Sequence, residues 1–199
     1  MAWFKRLSSI GLATTILLST PVSAMLSVPY GWYLELNGGS SHLSNKSNPE
    51  GTTSTQSGWG GNVNLGYKFM PFFAGELGVT RYTNTSIKAS DTEIAQDKNY
   101  SAALAGKGII PFTDSGFEAF AKLGVGRIYS SRTVKNQTLA NTYAIGNSSN
   151  SATGLYLGLG GQYYFNPEFA VVGQWQRLTG NNASGTGDLY TIGVSFIFD

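Results

Sequence analysis

The sequence predicts an all-β chain folded as a transmembrane, eight-stranded, antiparallel up-and-down β-barrel. Three observations predict it. The 199 residues hold 26 glycines and an aromatic load of Trp 4, Tyr 11 and Phe 11 against only 12% charged residues, an odd mixture for a soluble domain. Alternation of apolar and polar residues recurs in segments of about ten, the length a tilted strand needs to cross a bilayer. No segment beyond residue 24 has the roughly 18 consecutive apolar residues of a spanning helix. A chain that enters lipid without such helices closes a sheet, because only helices and closed sheets satisfy their own backbone hydrogen bonds there.

The first element in chain order is a leader. Lys5 and Arg6 give a positive start, residues 7–18 give a short apolar run, and Val22-Ser23-Ala24 is the small-residue pattern that a signal peptidase cleaves. The run is too short and too rich in Ser and Thr to cross roughly 30 Å of hydrocarbon as an anchor. Residues 1–24 are therefore expected to be a signal peptide, and residues 25–199 the barrel domain. Loss of Lys5 and Arg6 takes the thirteen basic residues to eleven, against eleven acidic ones. With no net charge and no basic patch, nucleic acid is not an expected partner. The exported chain has no cysteine, so its stability must come from a core or a fully bonded closed sheet rather than from disulfides.

Eight strands follow, over residues 31–40, 57–69, 72–81, 99–110, 117–129, 152–165, 168–178 and 188–198. An even number returns both chain ends to one side. The connections alternate in kind. Met70-Pro71, residues 111–116 and Asn166-Pro167 are short turns in which proline presets an angle. Residues 41–56, 82–98, 130–151 and 179–187 are long, rich in Ser, Thr, Asn and Gly, and expected to be solvated, mobile loops. Short turns beside the termini and long loops opposite match a periplasmic and an extracellular side.

Splitting strands by parity separates a lipid face from an interior. Trp59, Val63, Leu65, Tyr67 and Phe69 oppose Gly60, Asn62, Asn64, Gly66 and Lys68. In the last strand Tyr190, Ile192, Val194, Phe196 and Phe198 oppose Thr191, Gly193 and Ser195, with Ile197 as the exception on the polar side. The stretch GLYLGLGGQYYF at 154–165 reads the same way. Leu155, Leu157, Leu159, Tyr163 and Phe165 face lipid, and Gly154, Tyr156, Gly158, Gly160, Gln162 and Tyr164 face inward. An eight-stranded barrel is only wide enough for side chains, so these glycines make room for large neighbours. A phosphate-binding loop is excluded, since neither GxGxxG nor a GK[ST] ending is present and no helix follows; Gly124-Val125-Gly126 is set aside on the same ground.

Parity also sends six charges inside: Glu35, Glu76 and Glu118 with Lys68, Lys107 and Lys122. The signs balance, and Glu35, Glu76, Lys107 and Lys122 lie three to five residues up their strands from the short-turn end, which places them near one layer. Buried ionisable groups are tolerated when paired. The expected role is a structural network that plugs a narrow lumen, with an ion path or gate as the alternative. Aromatic residues gather near the short-turn ends as Trp32, Tyr67, Phe69, Phe73, Tyr163, Phe165, Phe169 and Phe198. A second set, Trp59, Tyr82, Tyr100, Tyr129, Trp175 and Tyr190, gathers at the other ends. Two girdles at two membrane interfaces are the expectation.

Catalytic and metal chemistry find little support. His42 is the single histidine, and a triad of His42, a loop serine and Asp91 has no fixed geometry, so His42 reads as a surface residue. One histidine without cysteine supplies no transition-metal site, and no cofactor is expected. Asn45-Lys46-Ser47 matches a glycosylation pattern, read as chance in a bacterial barrel.

These patterns together resemble the small outer-membrane barrels of the OmpA transmembrane-domain and opacity-protein type. The resemblance covers essentially all of the exported chain. It rests on the leader, the first strand GWYLELNGGSS, the hairpins GYKFMPFFAGELGVTRY and GQYYFNPEFAVVGQWQR, and the closing LYTIGVSFIFD. It implies a monomer in the outer membrane of a Gram-negative bacterium, embedded among lipid and lipopolysaccharide, with a structural role and surface contacts such as adhesion to a host through four loops. It also implies that the terminal aromatic Phe198 is the recognition signal for the outer-membrane insertion machinery, although Asp199 follows it. The peptidoglycan-binding domain that often follows such barrels is not expected after Asp199. A small pore and a lipid A-modifying enzyme using His42 are the alternatives.

Overall fold

The wall strands form because their side chains alternate between two environments, and burial follows that alternation most plainly in Gly31–Ser44, Phe73–Arg81, Phe117–Val134 and Phe169–Leu178. The computed structural model describes residues 30–44, 52–89, 92–112, 115–143 and 145–198. The expected leader over 1–24, the triplet at 45–47, Asp91 and Asp199 lie outside the described residues. In chain order the elements are β1 (Gly31–Ser44), β2 (Thr53–Thr55), β3 (Ser57–Met70), β4 (Phe73–Arg81), β5 (Thr85–Ala89), β6 (Thr92–Phe112), β7 (Phe117–Val134), α1 (Gln137–Thr142), β8 (Ser148–Tyr164), β9 (Phe169–Leu178) and β10 (Thr186–Phe198).

The ten strands form one antiparallel sheet in the order β2, β5, β6, β4, β3, β1, β10, β9, β8, β7, and β7 pairs back onto β6. The pairing therefore runs in a circuit around a lumen, with β2 and β5 carried on the outer part of β6. The register is continuous at the seam between the chain ends, where Trp32 opposes Phe198 and Ser44 opposes Thr186. On the outward face Leu77, Leu104, Leu123, Leu159 and Ile192 are exposed, while Glu35, Asn64, Lys107 and Gln176 on the inward face are buried. This inversion of the usual rule, apolar outside and polar inside, is what a sheet surrounded by hydrocarbon requires.

Inward glycines admit large neighbours. A Cβ at Gly66 would run into the Tyr33 ring opposite it, and one at Gly160 would meet the Phe120 ring. Gly158 lies against the Lys122 side chain in the same manner. The Gly-rich stretch of β8 is thus a strand whose interior face is hollowed for aromatic and lysine side chains. At the short-turn end, Asn166 Oδ1 accepts from the amides of Glu168 (2.9 Å) and Phe169 (2.8 Å), which sets the β8–β9 turn. β6 continues through Pro111 to Phe112, further than the turn expected at 111–116, because a proline at a strand end forfeits a single ladder bond.

Two of the segments expected to be loops, 82–98 and 130–151, are corrected by this architecture, whereas 179–185 is the turn expected there. β6 has 21 residues, β7 18 and β8 17, well beyond the ten or so that cross a bilayer. Their outer parts pair with one another, β5 pairs with the outer part of β6 and β2 with β5, and α1 packs against β6. Ile87, Ile94, Ala95, Ala140 and Ile145 form a small apolar core there. Asn136 caps α1, its Oδ1 accepting from the Leu139 amide at 3.2 Å. A polar composition marks a segment as solvated and not as irregular, since strand pairing outside lipid needs no apolar face.

Candidate functional site

The lumen is the first candidate. β1 places Glu35, β4 Glu76, β6 Lys107 and β7 Lys122 at similar height, and their side chains meet. Lys122 Nζ lies 2.8 Å from Glu76 Oε1 and 3.3 Å from Glu35 Oε1, and Lys107 Nζ lies 3.4 Å from Glu35 Oε2. Lys68 and Glu118 form a separate pair at 2.8 Å, nearer the short-turn end. Gln162 links the two groups: Lys107 donates to its Oε1 at 3.0 Å, and its Nε2 donates to Glu118 Oε2 at 2.6 Å. All six charges thus belong to one bonded network, and all six residues are buried.

Glu35 is the hub. Besides both lysines, its Oε1 accepts from Asn37 at 2.8 Å, Asn64 at 2.9 Å and Gln174 at 2.8 Å. Tyr33 donates to Glu76 Oε2 at 2.9 Å. The aromatic rings beneath also meet the lysines, with Lys107 Nζ 4.1 Å from the Phe120 ring centre and 5.1 Å from that of Tyr33. Parity marks Gln162, Gln174, Asn37 and Asn64 as inward; their bridging role depends on register, which composition does not carry. Tyr33, Ile109, Phe120, Tyr164, Val172 and Ile197 fill the lumen toward the short-turn end, and Leu43, Tyr82, Ile128, Tyr156, Leu178 and Leu189 fill it toward the other. The cluster of Glu35, Glu76, Lys107 and Lys122 lies between these two apolar groups, and the Lys68–Glu118 pair lies at the short-turn end of the lower one. Asn37 Oδ1, Asn62 Oδ1, Gln174 Oε1 and Thr191 Oγ1 are buried without a protein hydrogen-bond partner; such acceptors in a lumen are met by water.

The outer wall is the second candidate. At the short-turn end Trp32, Tyr67, Phe69 and Phe73 form a run of ring contacts, with centroids 5.3, 5.0 and 6.3 Å apart in turn. Tyr163 and Phe165 meet at 5.9 Å. Phe169, Phe196 and Phe198 form another run, at 4.6 and 5.9 Å. Phe112 and Phe117 join the same rim. At the opposite end Trp59, Tyr100, Tyr129 and Tyr190 are exposed, and Trp175 donates from Nε1 to Asp188 at 3.1 Å. Tyr82 is a correction: it is buried in the lumen, where its hydroxyl accepts from Ser101 at 3.4 Å. Its even number puts it on the inward side with Glu76 and Thr80, so parity outweighs its position near the strand end.

His42 sits in a cross-strand row of Ser57, His42, Asp188 and Arg177 at the long-loop end. Its Nδ1 lies 2.7 Å from Ser57 Oγ. Asp188 is turned away, both carboxylate oxygens being held by Arg177 at 2.8 and 2.9 Å. The row therefore lacks the acid contact that would orient a catalytic histidine. Among the described residues no group of three or more His, Cys, Asp or Glu is placed to hold a metal ion. Farther out, Arg132 grips Asp97 with bonds of 2.8 and 3.0 Å, and those bonds hold its guanidinium above its ordinary pKa.

The family model described as outer membrane protein beta-barrel domain matches residues 10–198. No curated protein matches the sequence. Neisserial surface protein A is 15% identical with a TM-score of 0.57, over 84% of this chain and 97% of that one. OprG from Pseudomonas aeruginosa is 20% identical with a TM-score of 0.55, over 84% and 96%. Ail of Yersinia pestis, solved with the heparin analogue sucrose octasulfate, is 12% identical with a TM-score of 0.52, over 84% and 99%. Identities this low speak for the fold alone.

Proposed function

Because the chain belongs to the outer membrane protein beta-barrel domain family, we propose that it is an eight-stranded transmembrane barrel with a sealed lumen and an ordered extracellular platform for surface contact. It resides in the outer membrane of a Gram-negative bacterium, loops outward and both chain ends in the periplasm. The eight strands of the circuit cross the bilayer, and β2, β5 and α1 belong to the platform. Residues 1–24 direct export, Phe198 is read by the insertion machinery, and the barrel acts as a monomer among lipid and lipopolysaccharide.

One observation carries the surface role. The outer parts of β6, β7 and β8 extend past the wall, and the outer part of β6 builds an apolar core with β5 and α1 around Ile87, Ile94 and Ala140. A barrel whose whole task was to seal and anchor would need only short connections. An ordered platform presents a fixed face, and ordering in advance reduces the entropic cost of binding. Attachment, the role in the name of Ail, is the class of function inferred. The test compares adherence to host cells of bacteria displaying the full chain and a form with residues 136–146 replaced by two glycines. Loss of adherence with equal surface display supports the platform; equal adherence overturns it.

A further inference from the structure

The outward face of the wall is polarised. Its short-turn half is apolar and aromatic, whereas Arg81 on β4, Arg127 on β7 and Arg177 on β9 stand toward the long-loop end. Each lies by an aromatic ring: Arg81 5.8 Å from Tyr100, Arg127 5.5 Å from Tyr129 and Arg177 5.6 Å from Trp175. Their charges are answered unequally. Arg177 is paired with Asp188, and Arg127 donates to Ser151 Oγ at 2.7 Å. Arg81 has neither a hydrogen bond nor an ion pair among the described residues.

Beside Arg81 the wall is hollowed. Gly38 and Gly61 oppose each other in β1 and β3, and Gly61 opposes Arg81. The groove there has a volume of about 510 Å³ and is lined by Leu36, Gly61, Val63 and Val79, with Arg81 at its outer end. An apolar furrow on the lipid side, ending in an unpaired guanidinium at the membrane border, has the two chemistries of an anionic amphiphile. Tyr100 opposes both Arg81 and Tyr129, so Arg81 and Arg127 flank a tyrosine pair. They stand two strands apart, on the order of 10 Å, which suits a head group with two phosphates better than one with a single phosphate.

We propose that this face holds one lipid of the lipid A class. A phosphate sits on Arg81, the disaccharide lies across Tyr100 and Tyr129 toward Arg127, and an acyl chain follows Leu36, Val63 and Val79. The guanidinium fork matches phosphate geometry, and an uncompensated cation at the hydrocarbon border gains most from an anion. The assignment rests on the reading of this chain as a transmembrane barrel with its long-loop end in the outer leaflet.

The full chain, folded in neutral detergent micelles, is titrated with bisphosphoryl lipid A, and bound lipid is counted by native mass spectrometry. One tightly held molecule is expected. Arg81→Gln should weaken it by about tenfold or more and Arg127→Gln by about threefold to tenfold, as loss of a charge-assisted contact implies. Lys135→Gln, on an exposed residue beyond β7, should leave it unchanged. Equal affinity of Arg81→Gln and the unmodified chain overturns the site. So does equal binding of dephosphorylated lipid A, or displacement by inorganic phosphate at the same concentration, which would mark a bare anion site. Each protein is also run unboiled and boiled on a gel. Absence of a heat-dependent shift in the unmodified chain overturns the barrel reading and the site with it; loss of binding with the shift retained, seen with dephosphorylated lipid A only, supports the site.

Discussion

At Glu35 three side-chain amides and two lysines converge on one carboxylate, and the consequence of breaking that convergence is calculable in direction. Glu76→Gln removes the nearer partner of Lys122 and leaves that lysine with Glu35 at 3.3 Å. Losing one member of a buried pair costs about 3 to 5 kcal/mol, and water reaching the lumen lowers the figure. Lys122→Met alone strands Glu76 in the same way, although Tyr33 still donates to it. The two changes together should cost less than their sum, because two neutral groups are better tolerated than one unpaired charge. A double-mutant cycle on urea unfolding in lipid vesicles checks this. Strict additivity would separate Glu76 from Lys122 in energy despite their 2.8 Å contact.

For the strands, parity carries the prediction. Leu123 on β7 is 61% exposed on the outward face, near the middle of the wall, with Leu157 opposite. Leu123→Arg places a charge in hydrocarbon at a cost of roughly 2 to 4 kcal/mol. Asn182→Arg, exposed in the β9–β10 connection, should cost almost nothing. Assembly into vesicles, followed by protease protection, should fall sharply for the first and stay unchanged for the second; equal assembly would reverse the assignment of faces. This alternation is the part of the structure most readable from sequence, because lipid and lumen impose opposite demands on neighbouring residues. It places Glu35, Lys68, Glu76, Lys107, Glu118 and Lys122 inside without a coordinate. It does not reveal Gln162 as their link, since that depends on Glu118 standing opposite Gln162 in the β7–β8 register. Nor does it find β2, β5 and α1, which at 3, 5 and 6 residues are too short to carry a periodic signature. Tyr82 stands near a strand end, where a girdle is expected, but parity and packing against Gly187 put it in the lumen.

Among the described residues of the whole molecule, the circuit of eight strands closes on itself, and the lumen is filled by two apolar groups with the four-charge cluster between them and the Lys68–Glu118 pair at the short-turn end. A circuit of paired strands has no free edge at which unfolding begins, so the folded protein should resist detergent until heated. Unboiled and boiled samples should therefore migrate differently on a gel, and identical migration would indicate an open sheet. The same filling predicts that the barrel anchors and presents a surface rather than conducts. Planar-bilayer recording of the purified full chain tests that claim most directly. Current indistinguishable from the bare bilayer is the predicted result for the unmodified protein, whose six lumen charges are bonded to one another. Stable, repeated conductance steps from the unmodified protein would contradict it and would make the charged layer a gate instead of a plug.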